Sequence, residues 1–242
     1  MLIKTLLCSV VFLLIAAQGY AKTNSIKLVL PEVDGWAHVT EKSFAPEALN
    51  RIAKGKLRSK MSLNYRPFKR ALLDFKNGKF DCFVGGDEKT MLDFASVETI
   101  SSEMIRNTSL RIYTLKNNPK LTTFEQMKKK RIIYVRGLDL NSLQKEFKSL
   151  DIESVTGVKQ AVKMMKSKRV DAFLHWFPST DEIMTDFHNT DKKIYYTIKE
   201  KVNCHINEES KKFISQLNNK ILKFKKSGGL KKLHFDFYGD IH

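Results

Sequence analysis

Three short sites in this chain carry residues suited to holding a ligand, and each stands at the end of an apolar run. Gly85-Gly86-Asp87 follows FDCFV, Arg136-Gly137 follows RIIYV, and His175-Trp176 closes VDAFLHW. Adjacent glycines let a ligand approach backbone amides closely. A guanidinium offers a planar donor fork to an anion or acceptor. A histidine–tryptophan pair offers an imidazole and a flat aromatic face. Catalysis would need a positioned general acid or base. Glu32, Glu88 and His175 are the candidates, and no two of them are paired by spacing. There is no serine-nucleophile motif, and no cysteine–histidine spacing suits zinc. The set points to recognition rather than to bond making, and no cofactor or metal is implied.

Two of these sites end copies of one unit. Ala71–Gly86, ALLDFKNGKFDCFVGG, aligns without a gap on Ala161–Trp176, AVKMMKSKRVDAFLHW. Ala71/Ala161, Lys76/Lys166, Asp81/Asp171 and Phe83/Phe173 are identical, and Lys79/Arg169, Phe80/Val170 and Val84/Leu174 are alike. Each copy reads as the end of an amphipathic helix, a tight basic turn, then Asp and a short apolar strand. Around them, strands are predicted at Ile26–Leu30, Lys60–Tyr65, Ser109–Leu115, Arg131–Val135, Ile152–Val155, Lys193–Ile198 and Lys201–Ile206. Helices are predicted at Pro46–Lys54, Pro67–Asn77, Thr123–Lys128, Asn141–Ser149, Gly157–Lys166, Pro178–Phe187 and Glu208–Lys226, the last capped by Asn207. A further helical turn or two is predicted at Leu230–Phe235. Alternation of this kind indicates an α/β chain with mostly parallel sheets. In such sheets ligands sit beyond the carboxyl ends of the strands, where the three sites lie.

The N-terminus reads as an export signal over residues 1–21. Lys4 supplies charge, Leu6–Ala17 is an apolar run too short to span a bilayer, and Gly19-Tyr20-Ala21 offers a cleavage site after Ala21. The localisation expected from it is periplasmic. Export permits a disulfide between Cys82 and Cys204. Their apolar flanks fit two buried thiols equally well, and that is the plainer reading. The net charge is +17, from 43 Lys and Arg against 26 Asp and Glu. The lysines are spread over turns and helix faces, as in Lys128-Lys129-Lys130 and Lys231-Lys232, so they read as a solvated surface. There is no aromatic-interleaved basic motif, so nucleic acid is not an expected partner.

Three segments together resemble the solute-binding proteins of polar amino-acid ABC transporters. Arg66–Gly86 with Leu92-Asp93-Phe94-Ala95 is similar to that family's helix, Asp-bearing strand and Asp-Phe segment. Leu121–Gly137 is similar to its passage into a second lobe. Glu208–Asp240, with Leu233-His234-Phe235-Asp236-Phe237-Tyr238-Gly239, is similar to its C-terminal helix and ending. The resemblance implies a type 2 periplasmic-binding-protein-like α/β fold, with two mixed sheets joined by two crossing strands. Lobe one would be 22–112 plus 199–242, and lobe two 113–198. It implies a monomer that closes on a small solute and delivers it to an ABC permease or a membrane sensor, without catalysis.

The contacts it implies are altered here. Trp36 falls where an aromatic residue stacks on the ligand, and Gly85 and Gly86 where small residues bind it. The family's carboxylate-clamping Arg is missing from the stretch Asp87-Glu88-Lys89-Thr90, which leaves Lys89 as the one charge. Leu138 and Asp139 replace the Ser or Thr after the second-lobe glycine. Trp176 replaces the acid that takes an α-ammonium. Losing such a buried charge pairing costs about 2–5 kcal/mol of affinity. The expected ligand is therefore not a free amino acid but a flatter, partly aromatic solute with acceptors or negative charge, held by Trp36, Arg136, His175 and Trp176. Each of these has a plainer alternative. Trp36 would pack on its own loop, Trp176 between the lobes, Arg136 against an acid such as Asp139, and His175 as a satisfied polar residue. Two other functions compete: a degenerate, non-transporting interaction protein whose cleft is lost, and a dehydratase-like enzyme on the same scaffold.

Overall fold

The computed structural model describes residues 25–136, 147, 149–178, 186–189 and 196–239. The expected export signal, residues 1–21, lies outside them, as do Asp139, most of the helix expected at Asn141–Ser149 and residues 179–185 of the one expected at Pro178–Phe187.

The repeat in the sequence is a repeat in space. Helix α3 (Phe68–Lys76) and helix α6 (Val158–Lys166) each run nine residues, and their bounds coincide in the gapless alignment. Each buries one stripe, Ala71 and Phe75 in α3 and Ala161, Val162 and Met165 in α6. Each ends at a left-handed residue: Gly78 (φ 71°) in the first copy and Lys168 (φ 56°) in the second. Glycine takes that conformation without penalty, whereas a side chain costs about 1–2 kcal/mol there.

The matched aspartates then do the same job twice. Asp81 Oδ2 accepts from the Lys27 amide at 2.7 Å, while the Asp81 amide donates to the Lys27 carbonyl at 2.9 Å. Asp171 Oδ2 accepts from the Arg131 amide at 2.9 Å, and its own amide donates to the Arg131 carbonyl at 2.9 Å. Each Asp thus pins the start of its strand to the start of the parallel neighbour.

The duplication extends to three strands. In the first sheet β1 (Ile26–Glu32) lies between β2 (Met61–Pro67) and β3 (Cys82–Val84), all parallel. In the second, β6 (Ile132–Val135) lies between β7 (Ile152–Val155) and β8 (Ala172–Phe177), again parallel. An antiparallel strand completes each unit. Long β5 (Arg106–Leu115) pairs with β8, and β11 (Val202–His205) pairs with β3. Beyond them lie β4 (Thr99–Ser101) on β11, and β10 (Tyr196–Glu200) and β9 (Phe187–Asn189) on β5. The helix expected to run to Phe187 therefore gives way there to strand. The lobe divisions expected at 112/113 and 198/199 fall inside β5 and β10, because both pair within the second sheet between Arg106 and Glu200.

Helices cover both faces of the first sheet, so β1 is apolar on consecutive residues rather than alternating ones. Leu28 and Leu30 pack with α1 (Phe44–Ala53) and α7 (Glu208–Lys226), while Val29 packs with Ala71 and Phe75 of α3. Asn207 caps α7 as the sequence predicts, its side chain accepting from the Ser210 amide at 2.8 Å. Thr123 opens α5 (Phe124–Met127) with a capping box to Gln126. Between these lie α2 (Lys56–Ser59) and α4 (Glu88–Ala95), neither read from the sequence, and α8 (Gly229–Tyr238) ends the described chain. No described helix is long and apolar enough to cross a membrane.

Cys82 and Cys204 are register partners on β3 and β11 and form a disulfide. This corrects the plainer expectation of two thiols. Both side chains are fully buried, as that expectation required. The antiparallel pairing, which spacing alone does not reveal, brings the Cα atoms to 4.0 Å.

Candidate functional site

Between the two sheets lies a cavity of about 620 Å³, lined from both duplicated units and from the crossing segment. Its first wall is the loop after β1. Val33 and Trp36 close a tight turn, the Trp36 amide donating to the Val33 carbonyl at 2.9 Å, with Gly35 at φ 74° in the turn's third place. Trp36 borders the cavity but is 5% exposed, so little of its ring is open to a ligand. Its Nε1–H points at the Val84 carbonyl at 3.4 Å, and its ring stacks on Phe44 at 5.9 Å.

The second wall is the Gly85–Gly86 loop after β3. Both glycines have positive φ, 128° and 67°. Fully buried Asn203 on β11 holds the loop, its Nδ2 donating to the Gly85 and Gly86 carbonyls at 2.9 and 3.2 Å. The Gly86 amide does not face an empty space. It donates to Glu200 Oε2 at 2.6 Å.

The floor carries the residues that sequence reading missed. Arg106, at the start of β5, lines the cavity with a side chain only 4% exposed. Its guanidinium lies over the rings of Trp36, Phe44 and Tyr238, at 4.5, 5.1 and 5.6 Å. Arg106 Nη1 donates to the Tyr238 hydroxyl at 2.5 Å, and that hydroxyl donates to the Gly35 carbonyl at 3.1 Å. The C-terminal helix thereby ties the floor to the Trp36 loop. Arg106 Nη2 stands 4.0 Å from Glu200 Oε1. Burial pushes the Glu200 carboxyl up from the usual range, against the downward pulls of Arg106 and the Gly86 amide. One sequence signal was available: a charged residue at the head of an apolar strand, had that strand been started at Arg106 instead of Ser109.

The far wall comes from the second copy. His175 is 5% exposed, stacks on Phe173 at 4.8 Å and lines the cavity. Burial brings its imidazole down to about 4, with the Asp34 carboxylate pulling the other way. Trp176, partly buried, and Arg136, exposed, also line it. Lys89 does not. It sits on α4 with its ammonium on Asp93, one turn along the same helix. That helix is opened by Asp87, whose Oδ1 accepts from the Thr90 amide at 2.9 Å. The stretch 87–90, which reads as shortened in the sequence, is thus a helix start, and of its residues Thr90 lines the cavity. The expected residues therefore gather as Trp36, Gly85, Gly86, Arg136, His175 and Trp176, Lys89 stands apart, and Asp139 lies outside the described residues.

No protein-family model matches the chain, and no curated protein matches it. Solved structures do match over nearly its whole length. The ligand-binding core of GluR0 from Nostoc punctiforme, in complex with L-glutamate, is 13% identical, covers 89% of this chain and 100% of its own, and has a TM-score of 0.70. A putative L-cystine ABC transporter protein from Listeria monocytogenes is 15% identical, covers 89% and 96%, and has a TM-score of 0.69. The ancestral amino-acid-binding protein AncCDT-1, a precursor of cyclohexadienyl dehydratase, is 16% identical, covers 90% and 96%, and has a TM-score of 0.68. The architecture of this chain is that of the two-lobed periplasmic binding proteins.

Proposed function

We propose that the chain is an exported solute-binding protein whose lobes close on a small ligand, for import by an ABC transporter or for sensing by a membrane partner. The observation that carries this reading is the cavity of about 620 Å³ lined by both duplicated units and by the segment that crosses between them. Ligand held across such a hinge stabilises the closed arrangement without any chemistry. The lobes are the two duplicated units, each with its own core. The Cys82–Cys204 disulfide supports export, because such bonds persist in oxidising compartments. A cleft filled by side chains would have favoured the degenerate interaction protein, and an open cavity does not.

The ligand in this reading is a flat, largely apolar solute rather than a free amino acid. Phe68, Met91, Phe94, Val135, Leu174 and Trp176 supply apolar walls, Arg136 and His175 the polar contacts, and Gly85 and Gly86 a wall without side chains. The mature protein, screened by thermal shift against aromatic solutes, organic acids, polyamines and amino acids, tests it. A ligand at 100 times its Kd adds about 2.7 kcal/mol of stability. A melting point raised by aromatic solutes is the expected result. A response to zwitterionic amino acids alone would remove the ligand assignment, and turnover seen by mass spectrometry would make the protein an enzyme.

A further inference from the structure

We propose that Arg106 and Glu200 form the polar subsite of this cleft, and that it takes a neutral group presenting a hydrogen-bond donor beside an acceptor, such as a lactam, on a flat apolar body. This deepens the solute-binding reading and rests on it.

The two residues stand at the points where the chain crosses between the sheets, and both line the cavity. The Arg106 side chain is 4% exposed, and its buried Nε has no hydrogen-bond partner. Nη1 is engaged by Tyr238, but Nη2 reaches only to 4.0 Å from Glu200 Oε1, too far for a hydrogen bond. Glu200 uses Oε2 on the Gly86 amide, which leaves Oε1 facing that same gap. An unmade hydrogen bond on a buried guanidinium is expensive; Nε is sealed from solvent, so Nη2 is the donor left for a ligand, and a group that accepts from it is correspondingly favoured. Whatever occupies the gap must accept from Arg106 and donate to Glu200.

Charge then selects among such groups. Arg106 and Glu200 already offset each other. A carboxylate brought to Arg106 Nη2 would stand beside the Glu200 carboxylate, and an ammonium brought to Glu200 would stand beside the guanidinium. A zwitterion would also surrender its hydration to a floor without net charge, whereas a lactam N–H and C=O surrender much less. The rings around Arg106 hold it in place before a ligand arrives, so little ordering is left to the binding step.

Isothermal titration of the mature protein with four bicyclic probes decides the matter: 2-quinolone (donor and acceptor), quinoline (acceptor only), 2-naphthoate (carboxylate) and free tryptophan (zwitterion). The expected result is 2-quinolone bound at least about tenfold more tightly than the other three, the scale of one hydrogen bond to a charged group. Glu200→Gln should reverse the order by leaving Arg106 uncompensated: 2-naphthoate gains about tenfold and 2-quinolone loses its lead. Should that variant fail to fold, the wild-type ranking decides alone. Quinoline matching 2-quinolone, or 2-naphthoate or tryptophan binding best, overturns this subsite and leaves the solute-binding reading standing. Binding of none of the four overturns the subsite, and silence across the wider solute panel overturns the solute-binding reading with it.

Discussion

Asp34 Oδ2 accepts a hydrogen bond from the Val158 amide at 3.2 Å, joining the loop after β1 to the first turn of α6 on the other side of the cleft. The carboxylate meets one of the unpaired amides at a helix start, where the helix dipole favours negative charge. Gly157, just before it, leaves the contact uncrowded, and even a Cβ there would stand at an ordinary van der Waals distance, 3.8 Å, from Asp34 Oδ2.

This contact should favour the closed arrangement. Asp34→Ala is expected to cost about 1 kcal/mol of closure, the worth of such a contact near the surface. Small-angle scattering of the ligand-free protein should show a larger radius of gyration, and titration about fivefold weaker ligand binding. Asp34→Asn, which keeps an acceptor and loses the charge, should fall between. Identical scattering curves for all three proteins would show that the contact does not bias closure.

Gly78 and Gly86, two of the three positive-φ glycines of the first copy, should respond differently to alanine. At Gly78 (φ 71°) a Cβ meets nothing within 4 Å, so Gly78→Ala carries only the backbone cost of about 1–2 kcal/mol. At Gly86 (φ 67°) a Cβ would lie 2.8 Å from Thr90 Cγ2 and 3.2 Å from Met91 Cε. Gly86→Ala should therefore cost more, about 3 kcal/mol, and weaken ligand binding as well. Urea unfolding of both variants measures this, and equal losses would show that the loop yields.

The disulfide closes a loop of 122 residues, so its removal should be felt across the first sheet. The chain-entropy account gives about 4–5 kcal/mol for a loop of that order. Denaturant midpoints of the Cys82→Ser/Cys204→Ser double variant should drop accordingly, and the wild type should match it when unfolded in reducing buffer. A loss below about 1 kcal/mol would show that the β3–β11 pairing stands without the bond.

Acid should destabilise the fold through His175. Its imidazole titrates near 4 in the fold because of burial, against an ordinary value of 6.5. Between those values the unfolded chain binds the extra proton, so stability falls as pH drops from 6.5 to 4, by about 3 kcal/mol at most. His234 is also brought down to about 4, by burial and then by the Arg106 charge, and adds to the same slope. Glu200 opposes it. Its raised value makes the fold take a proton before the unfolded chain does, so that contribution favours the fold as pH falls toward 4.5. His175→Gln should flatten the acid limb of a stability–pH profile, and an unchanged slope would place the sensitivity elsewhere.

The scaffold was legible in the sequence because its signals are local. The Ala71–Gly86 repeat marks both helices and the place of Asp81 and Asp171 at the head of each strand, while the bonds by which they pin the neighbouring strands appear only in the structure. The floor of the site was not legible. Arg106 and Glu200 meet through two strands that lie far apart in the chain, and Tyr238 joins them from the last helix. No spacing rule connects such residues. Trp36 fell between its two readings: it borders the cavity, yet most of its ring is spent on Phe44 and Arg106. Helix α4 leaves a weak trace in the sequence because its eight residues carry only a short apolar stripe, and its Asp87 cap directly follows the Gly85–Gly86 pair.

The two sheets also differ in when they can be completed. The second draws its strands from one uninterrupted stretch, Arg106 to Glu200, whereas the first needs β11 from beyond it. A chain emerging N-terminus first exposes β3 and Cys82 long before β11 and Cys204 appear, 122 residues later. During that interval the edge of β3 has no antiparallel neighbour and its thiol no partner, which invites pairing with the wrong chain. The half of the molecule made first is thus the last to be sealed, and its period of greatest hazard is set by the time taken to make the other half.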